Sequence, residues 1–141
     1  MPIVRLVGVI AVLLITCVSF SPDEARAAEA DAQKAVLVTG ASTGIGRRIT
    51  EVFADEGYFV YAGARKQNDL DALNALDNVK AVRLDVTVQE DIDSAVKTVE
   101  EGGLGLHGLI NNAGIFIGGP LADVPLEELE WLMDVNVYGV Y

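Results

Sequence analysis

The chain reads as an α/β domain built on a doubly wound parallel sheet, of which the first four strands are present. Three observations predict this. Short apolar, β-prone runs alternate with stretches of helical periodicity from Ala35 onward. The first of these strands runs into a glycine-rich turn that opens the first helix. The segments that stand out chemically all follow strands, where open parallel sheets place their ligands.

In chain order, Ala35 to Thr39 is the first strand. It breaks at Gly40, and a helical pattern starts near Gly44 with Ile45, Ile49, Val52 and Phe53 on one stripe. Gly57 is placed to end that helix. Phe59 to Ala64 forms the second strand. Asn68 is placed to cap a helix that carries Leu70, Leu73 and Leu76. Val79 to Leu84 forms the third strand. Thr87-Val88-Gln89-Glu90 matches a capping box and opens a helix with Ile92, Val96 and Val99. Gly102, Gly103 and Gly105 break it, and Leu106 to Asn111 forms the fourth strand. After a glycine-rich loop a helix is predicted from Pro125 to Asp134, with Leu126, Leu129 and Leu132 on one stripe. Such alternation calls for right-handed crossovers.

Composition narrows the function. The 141 residues suffice for one small domain. A formal net charge of −11 disfavours nucleic acid and anionic membrane surfaces as partners. The acidity belongs to the domain, since Arg5 and Arg26 offset Asp23 and Glu24 nearer the N-terminus. Cys17 is the only cysteine, which excludes an internal disulfide and a cysteine-built metal site. No His, Cys and carboxylate grouping has metal-ligand spacing, so no metal is expected. The lone His107 sits in a glycine-rich turn and reads as a surface residue. Trp131 reads as core or interface, and Arg47 and Arg48 as solvated helix positions.

The turn after the first strand carries the strongest chemical signal. Gly40 allows the tight turn, Gly44 lets the backbone approach a pyrophosphate, and Gly46 lets the helix pack close to its strand. Unpaired N–H groups around Thr43 to Ile45 point out at the positive end of the helix dipole, a place that holds phosphate. Ser42 and Thr43 add hydroxyls. The missing Gly-Lys-Ser/Thr ending disfavours a P-loop. A ligand-free glycine-rich connection is the alternative.

Later segments point the same way. After the second strand, Ala64 stands where an NAD-preferring site places a carboxylate for the ribose 2′-hydroxyl, and Arg65 follows. A guanidinium can grip a 2′-phosphate through two N–H groups, so the expected preference is NADP(H) over NAD(H). A solvated loop arginine is the alternative. After the third strand comes Asp85-Val86, where Asp85 alternatively caps the next turn. After the fourth comes Asn111-Asn112-Ala113-Gly114. Its small residues let the chain pass close to a ribose, and its amides can bridge neighbouring strands and loops; the alternative is a polar turn. Last is Val135-Asn136-Val137-Tyr138-Gly139, whose alternative is an ordinary helix-start asparagine.

The spacing Gly40–Gly44–Gly46, together with Asn111 to Gly114 and Val135 to Gly139, resembles the short-chain dehydrogenase/reductase family from Lys34 onward. The resemblance implies a Rossmann-type sheet and hydride transfer between a nicotinamide cofactor and an alcohol or carbonyl substrate. It implies an adenine-edge contact from Asp85 and a main-chain contact from Val86. It places Asn112, Ala113 and Gly114 beside the cofactor ribose. It implies a catalytic role for Asn136 at the start of a long helix, where it bends the helix and supports a water in a proton relay. The family's serine and Tyr-x-x-x-Lys do not occur in these residues, and no lysine follows Tyr138 or Tyr141 at that spacing. The resemblance therefore implies an N-terminal fragment of a homo-oligomeric enzyme, inactive as it stands. An open apolar edge on its fourth strand would make it fold poorly alone. The second function class is a non-catalytic dinucleotide-binding or sensor protein. A sugar-nucleotide epimerase relative fits less well, because its glycine spacing usually differs.

Residues 1–27 read as a signal peptide or membrane anchor, and residues 28–34 as a linker. Leu6 to Phe20 is almost wholly apolar behind one basic residue, Arg5. The run is shorter than the about 20 residues of a membrane span. Ala25-Arg26-Ala27 supplies a cleavage pattern; an uncleaved anchor is the alternative. Leu14-Ile15-Thr16-Cys17 is a poor lipoprotein match because of Thr16. The charge order sends the domain out of the cytoplasm, either exported or membrane-anchored. That conflicts with a cofactor expected mainly inside cells, unless the domain stays inside behind an anchor, it meets cofactor elsewhere, or the start codon is misassigned.

Overall fold

The computed structural model describes residues 33–141. The expected leader over residues 1–27 and most of the linker over 28–34 lie outside the described residues. Strands β1 (Ala35–Val38), β2 (Phe59–Ala64), β3 (Val79–Arg83) and β4 (Gly108–Ile110) form one sheet. Helices α1 (Gly44–Asp55), α2 (Gln67–Asn74), α3 (Gln89–Glu101) and α4 (Leu126–Asn136) alternate with them, and short 3-10 turns lie at Leu121–Asp123 and Tyr138–Val140. All strand pairs are parallel and the order is β3-β2-β1-β4.

Strand periodicity sorts the core onto two faces. Val36 and Val38 of β1 and Val60, Ala62 and Ala64 of β2 pack with Leu70 and Leu73 of α2 and with Ala54 of α1. Ala35 and Leu37 of β1 and Tyr61 of β2 pack on the opposite face with Val82, Leu84 and, from α3, Ala95 and Val99. Helices therefore cover both faces. That is why β1 and β2 are continuous apolar runs rather than alternating ones. Register aligns Val36 with Val60 on one side and with Gly108 on the other. The chain steps outward from β1 to β3, then returns to lay β4 on β1's free side. The loops leaving β1 and β4 thus diverge and open a crevice at their carboxyl ends. This is a four-strand Rossmann-type arrangement.

Several local expectations are corrected. The buried positions of α1 are Gly46, Thr50 and Ala54; of the expected stripe, Ile49 and Phe53 pack half-buried against the core, while Ile45 is 75% exposed and Val52 is also exposed. Small residues face the sheet because they let the helix sit close, and Thr50 satisfies its buried hydroxyl on Gly46 O at 2.9 Å. Asn68 caps nothing: α2 starts at Gln67 with Lys66 before it, and Leu76 lies past its end. The Thr87–Glu90 capping box does not form. Thr87 instead donates its main-chain N–H and its hydroxyl to Asp85 Oδ1, at 3.0 and 2.8 Å. On α3, Ala95 rather than Val96 is buried. On α4, Val135 is buried, whereas Leu126 and Leu129 of the expected stripe are exposed, as is Trp131. β4 is shorter than expected, and Leu109 on this edge strand is half-exposed.

Other expectations hold. Gly57 ends the first helix at φ +86°, and the glycines from Gly102 end the third. His107 is exposed, its ring tilted against Tyr58. Arg47 and Arg48 pair with Glu51 of their own helix, at 2.8 and 3.5 Å. Separately from these expectations, among the described residues no helix is long and apolar enough to cross a membrane.

Candidate functional site

A cavity of about 370 Å³ lies at the carboxyl ends of the strands. Gly40, Ser42, Thr43, Ile45 and Gly46 line it from the turn after β1, and Arg65 lines it from the end of β2. Asp85 and Val86 come from the end of β3, and Asn112, Ala113 and Gly114 from the end of β4. Eleven of the thirteen residues singled out from sequence thus meet at one place. Gly44 and Asn136 are not among the lining residues.

The turn over Gly40 to Gly46 has the shape of a cradle. Gly40 lies at φ +64°, the left-handed region that side chains resist. A methyl group there would stand 2.8 Å from Ala113 Cα. A methyl on Gly46 would collide with the Gly40 carbonyl oxygen and the Asn112 amide nitrogen. So Gly46 seats the helix start against the turn itself as well as the strand. The first turn of α1 has no side-chain cap from Thr43 and no acidic residue. Helices α2, α3 and α4 each carry acids in their first turn. The N-terminus of α1 therefore keeps unpaired N–H groups and an uncompensated positive dipole end. That is the donor set a diphosphate needs, and the residues present fit it.

Two clamps hold the walls. Thr39, only 4% exposed, accepts the main-chain N–H of Asn112 and of Ala113 on its hydroxyl oxygen, at 3.0 and 2.9 Å. The hydroxyl donates in turn to Ile110 O at 3.4 Å. Asn112 Nδ2 reaches back to the carbonyls of Thr39 and Gly40, both at 3.0 Å. The expected bridging of strand and loop by an asparagine amide is seen here directly. Asn136 forms the second clamp. Its Oδ1 accepts from Ile115 N and its Nδ2 donates to Ile115 O, both at 2.8 Å. It is the last residue of α4, not the start of a helix, which corrects the sequence expectation. Both ends of its amide are spent on Ile115.

Charge gathers on one wall. Arg65 Nη1 stands 3.6 Å from Asp85 Oδ2. Arg83 donates to Arg65 O at 3.0 Å and pairs with Asp91 at 3.6 Å. Asp91 Oδ2 accepts the main-chain N–H of Asp85 at 3.0 Å. Burial opposes ionisation of Asp85, but the bonds from Thr87 and the Arg65 guanidinium outweigh it and hold its carboxyl below the usual range.

Sequence reasoning missed Thr39, Leu84, Ile115 and Val135. Thr39 is the one whose hydroxyl ties the end of β1 to the loop after β4. Its signal was a threonine ending an apolar strand directly before the first glycine of the turn.

Three of the proteins that resemble this chain illustrate the match. The mitochondrial D-beta-hydroxybutyrate dehydrogenase of Rattus norvegicus is 34% identical over 142 residues, spanning 90% of this chain and 41% of that protein. The NADPH-dependent 1-acyldihydroxyacetone phosphate reductase of Schizosaccharomyces pombe is 38% identical over 112 residues, spanning 78% of this chain and 38% of that one. The crystal structure of an actinorhodin polyketide ketoreductase variant with NADPH superposes with a TM-score of 0.71 at 30% identity, over 77% of this chain and 43% of that one. The chain thus spans well under half the length of these relatives. The family model described as short chain dehydrogenase matches residues 34–141, and on that match the chain belongs to the short chain dehydrogenase family.

Proposed function

We propose that this chain forms the dinucleotide-binding part of an oxidoreductase that exchanges hydride between NADP(H) and an alcohol or carbonyl substrate. One observation carries the reading. The uncapped, acid-free start of α1 lies over a glycine cradle at the point where the loops after β1 and β4 diverge. When bound, the nicotinamide cofactor supplies the hydride donor or acceptor.

The chain's own residues bind and orient. Main-chain N–H groups from Thr43 to Ile45 receive the diphosphate, with the Ser42 and Thr43 hydroxyls beside it. Asp85 accepts from the adenine amino group and Val86 contributes its main chain. Asn112, Ala113 and Gly114 pass along the ribose. Arg65, 56% exposed at the end of β2, takes the 2′-phosphate. Ala64, buried beside it, offers no carboxylate to a 2′-hydroxyl. Asn136 positions the loop after β4 through Ile115. In the reading the resemblance suggests, Asn136 also supports a water in a proton relay.

Replacing Arg65 by Asp tests the reading. NADP(H) affinity should fall about tenfold or more, the weight of one or two charge-assisted hydrogen bonds. NAD(H) affinity should change little. NADP(H) affinity equal to wild type would reject the role of Arg65. Failure of the wild-type protein to bind either cofactor would reject the dinucleotide site. Residues 1–27 we read as a leader or anchor, and fractionating cells that express the gene with and without it tests that.

A further inference from the structure

We propose that Asp85 tunes cofactor discrimination by competing with the cofactor's 2′-phosphate for the Arg65 guanidinium. The inference rests on the reading of Arg65 above. It assigns to Asp85 a role beyond contact with adenine.

The two side chains belong to different strand ends, yet they meet. Arg65 Nη1 lies 3.6 Å from Asp85 Oδ2, and both residues line the cavity. They are unequally held. The Asp85 side chain is 24% exposed, with Oδ1 fixed by the N–H and hydroxyl of Thr87, and its own N–H fixed by Asp91. Arg65 has its carbonyl pinned by Arg83, but more than half of its side chain is in solvent. The carboxylate is therefore the fixed partner and the guanidinium the mobile one. Ala64 leaves no carboxylate at the end of β2, so the acid that Arg65 meets comes from the neighbouring strand.

A guanidinium presents five N–H donors over two edges. It can swing the edge that meets Asp85 to a 2′-phosphate and give up Asp85, or hold one anion on each edge. In the first case the ion pair is lost. In the second, two anions stand one guanidinium apart and repel. Either way NADP(H) binding is weakened. NAD(H) carries a neutral 2′-hydroxyl at that place and is not penalised. Any adenine contact from Asp85 is common to both cofactors and cancels in the ratio of their affinities.

The test uses the protein as expressed from its own gene, titrated with NADPH and NADH. The variants are Asp85→Asn and Asp85→Glu. Asparagine keeps an oxygen for Thr87 but removes the charge. Glutamate keeps the charge and disturbs the packing. Asp85→Asn should raise the preference for NADPH over NADH by about tenfold, ~1.4 kcal/mol. Asp85→Glu should leave the ratio within about twofold of wild type, even if both affinities fall. If both variants change the ratio alike, or if Asp85→Asn leaves it unchanged, the proposal is overturned while the dinucleotide site stands. If the wild-type protein binds neither cofactor, the site and the proposal fall together. If Asp85→Asn does not fold, Asp85→Ser, which also removes the charge and keeps an oxygen, decides: a raised preference for NADPH upholds the proposal, and an unchanged ratio overturns it.

Discussion

Replacing Thr39 by valine removes one hydroxyl without changing shape, and the structure says what that oxygen does. It accepts two main-chain N–H groups, from Asn112 and Ala113, at 3.0 and 2.9 Å. Valine leaves both donors without an acceptor. An orphaned donor costs about 1–3 kcal/mol. Asn112 and Ala113 are half-buried, so water reaches part of the gap and the lower end applies. Burying a methyl in place of a hydroxyl returns a little. The expected net loss is ~2 kcal/mol, a large fraction of a typical domain's stability. In urea unfolding followed by circular dichroism, that lowers the midpoint by roughly 1 M. Thr39→Ser is the control, since it keeps the oxygen and loses only a methyl, about 0.8 kcal/mol. Two results would refute the reasoning. One is a Thr39→Val protein within about 0.5 kcal/mol of wild type, the scatter of ordinary surface changes. The other is a Thr39→Ser protein as damaged as Thr39→Val, which would locate the effect in packing rather than in the hydroxyl.

Two further outcomes follow from the same geometry. Asn136→Ala removes both bonds to the Ile115 main chain and should cost ~2 kcal/mol. Hydrogen exchange should show the Ile115 amide losing protection first, and unchanged protection there would contradict the clamp. Asp85 gives a pH prediction. Its folded carboxyl titrates below its unfolded value, so the stability it contributes is complete above the usual aspartate pKa, about 3.9, and is lost as the pH falls through the folded value. Wild type should melt above Asp85→Asn at neutral pH. The two melting curves should begin to converge as the pH falls below about 4 and meet once it is below the folded carboxyl's lowered value, and a gap that never narrows over that range would show that charge is not the cause.

Elements were legible in the sequence where one face of a segment dictated burial on its own. β1 and β2 are apolar on both faces and could only be central strands of a covered sheet. The glycine ends of α1 and α3 were legible for a similar reason, since Gly57 and Gly103 take positive φ that other residues resist. Helix starts were not. Asn68 and Thr87 both have capping chemistry, but a cap needs its side chain in register with free amides. Asp85, two residues back, claims both donors of Thr87. Helix faces were misread where small residues replaced large ones. Gly46, Thr50 and Ala54 carry little hydropathy, yet they are what allows α1 to approach the sheet.

The site's chemical groups were readable one by one, while the bonds between them were not, and topology explains the difference. Thr39 and Asn112 are 73 residues apart and meet only because β4 returns to the free side of β1. Strand order alone brings a hydroxyl ending one apolar run against the amides that follow another. Arg65 and Asp85 meet just past the strand ends: Ala64 pairs with Arg83, Arg65 follows Ala64 directly, and Asp85 comes one residue later, after Leu84. A register slip of one residue would turn every side chain of β3 to the opposite face of the sheet and shift the end of β3, with Asp85, relative to Arg65. Charge recognition on this wall therefore depends on the apolar core that fixes that register, Val60, Ala62 and Ala64 against Leu70 and Leu73. A core substitution that loosens the β2–β3 pairing should weaken cofactor discrimination before it removes cofactor binding, because the glycine cradle lies between β1 and α1 and does not depend on β3.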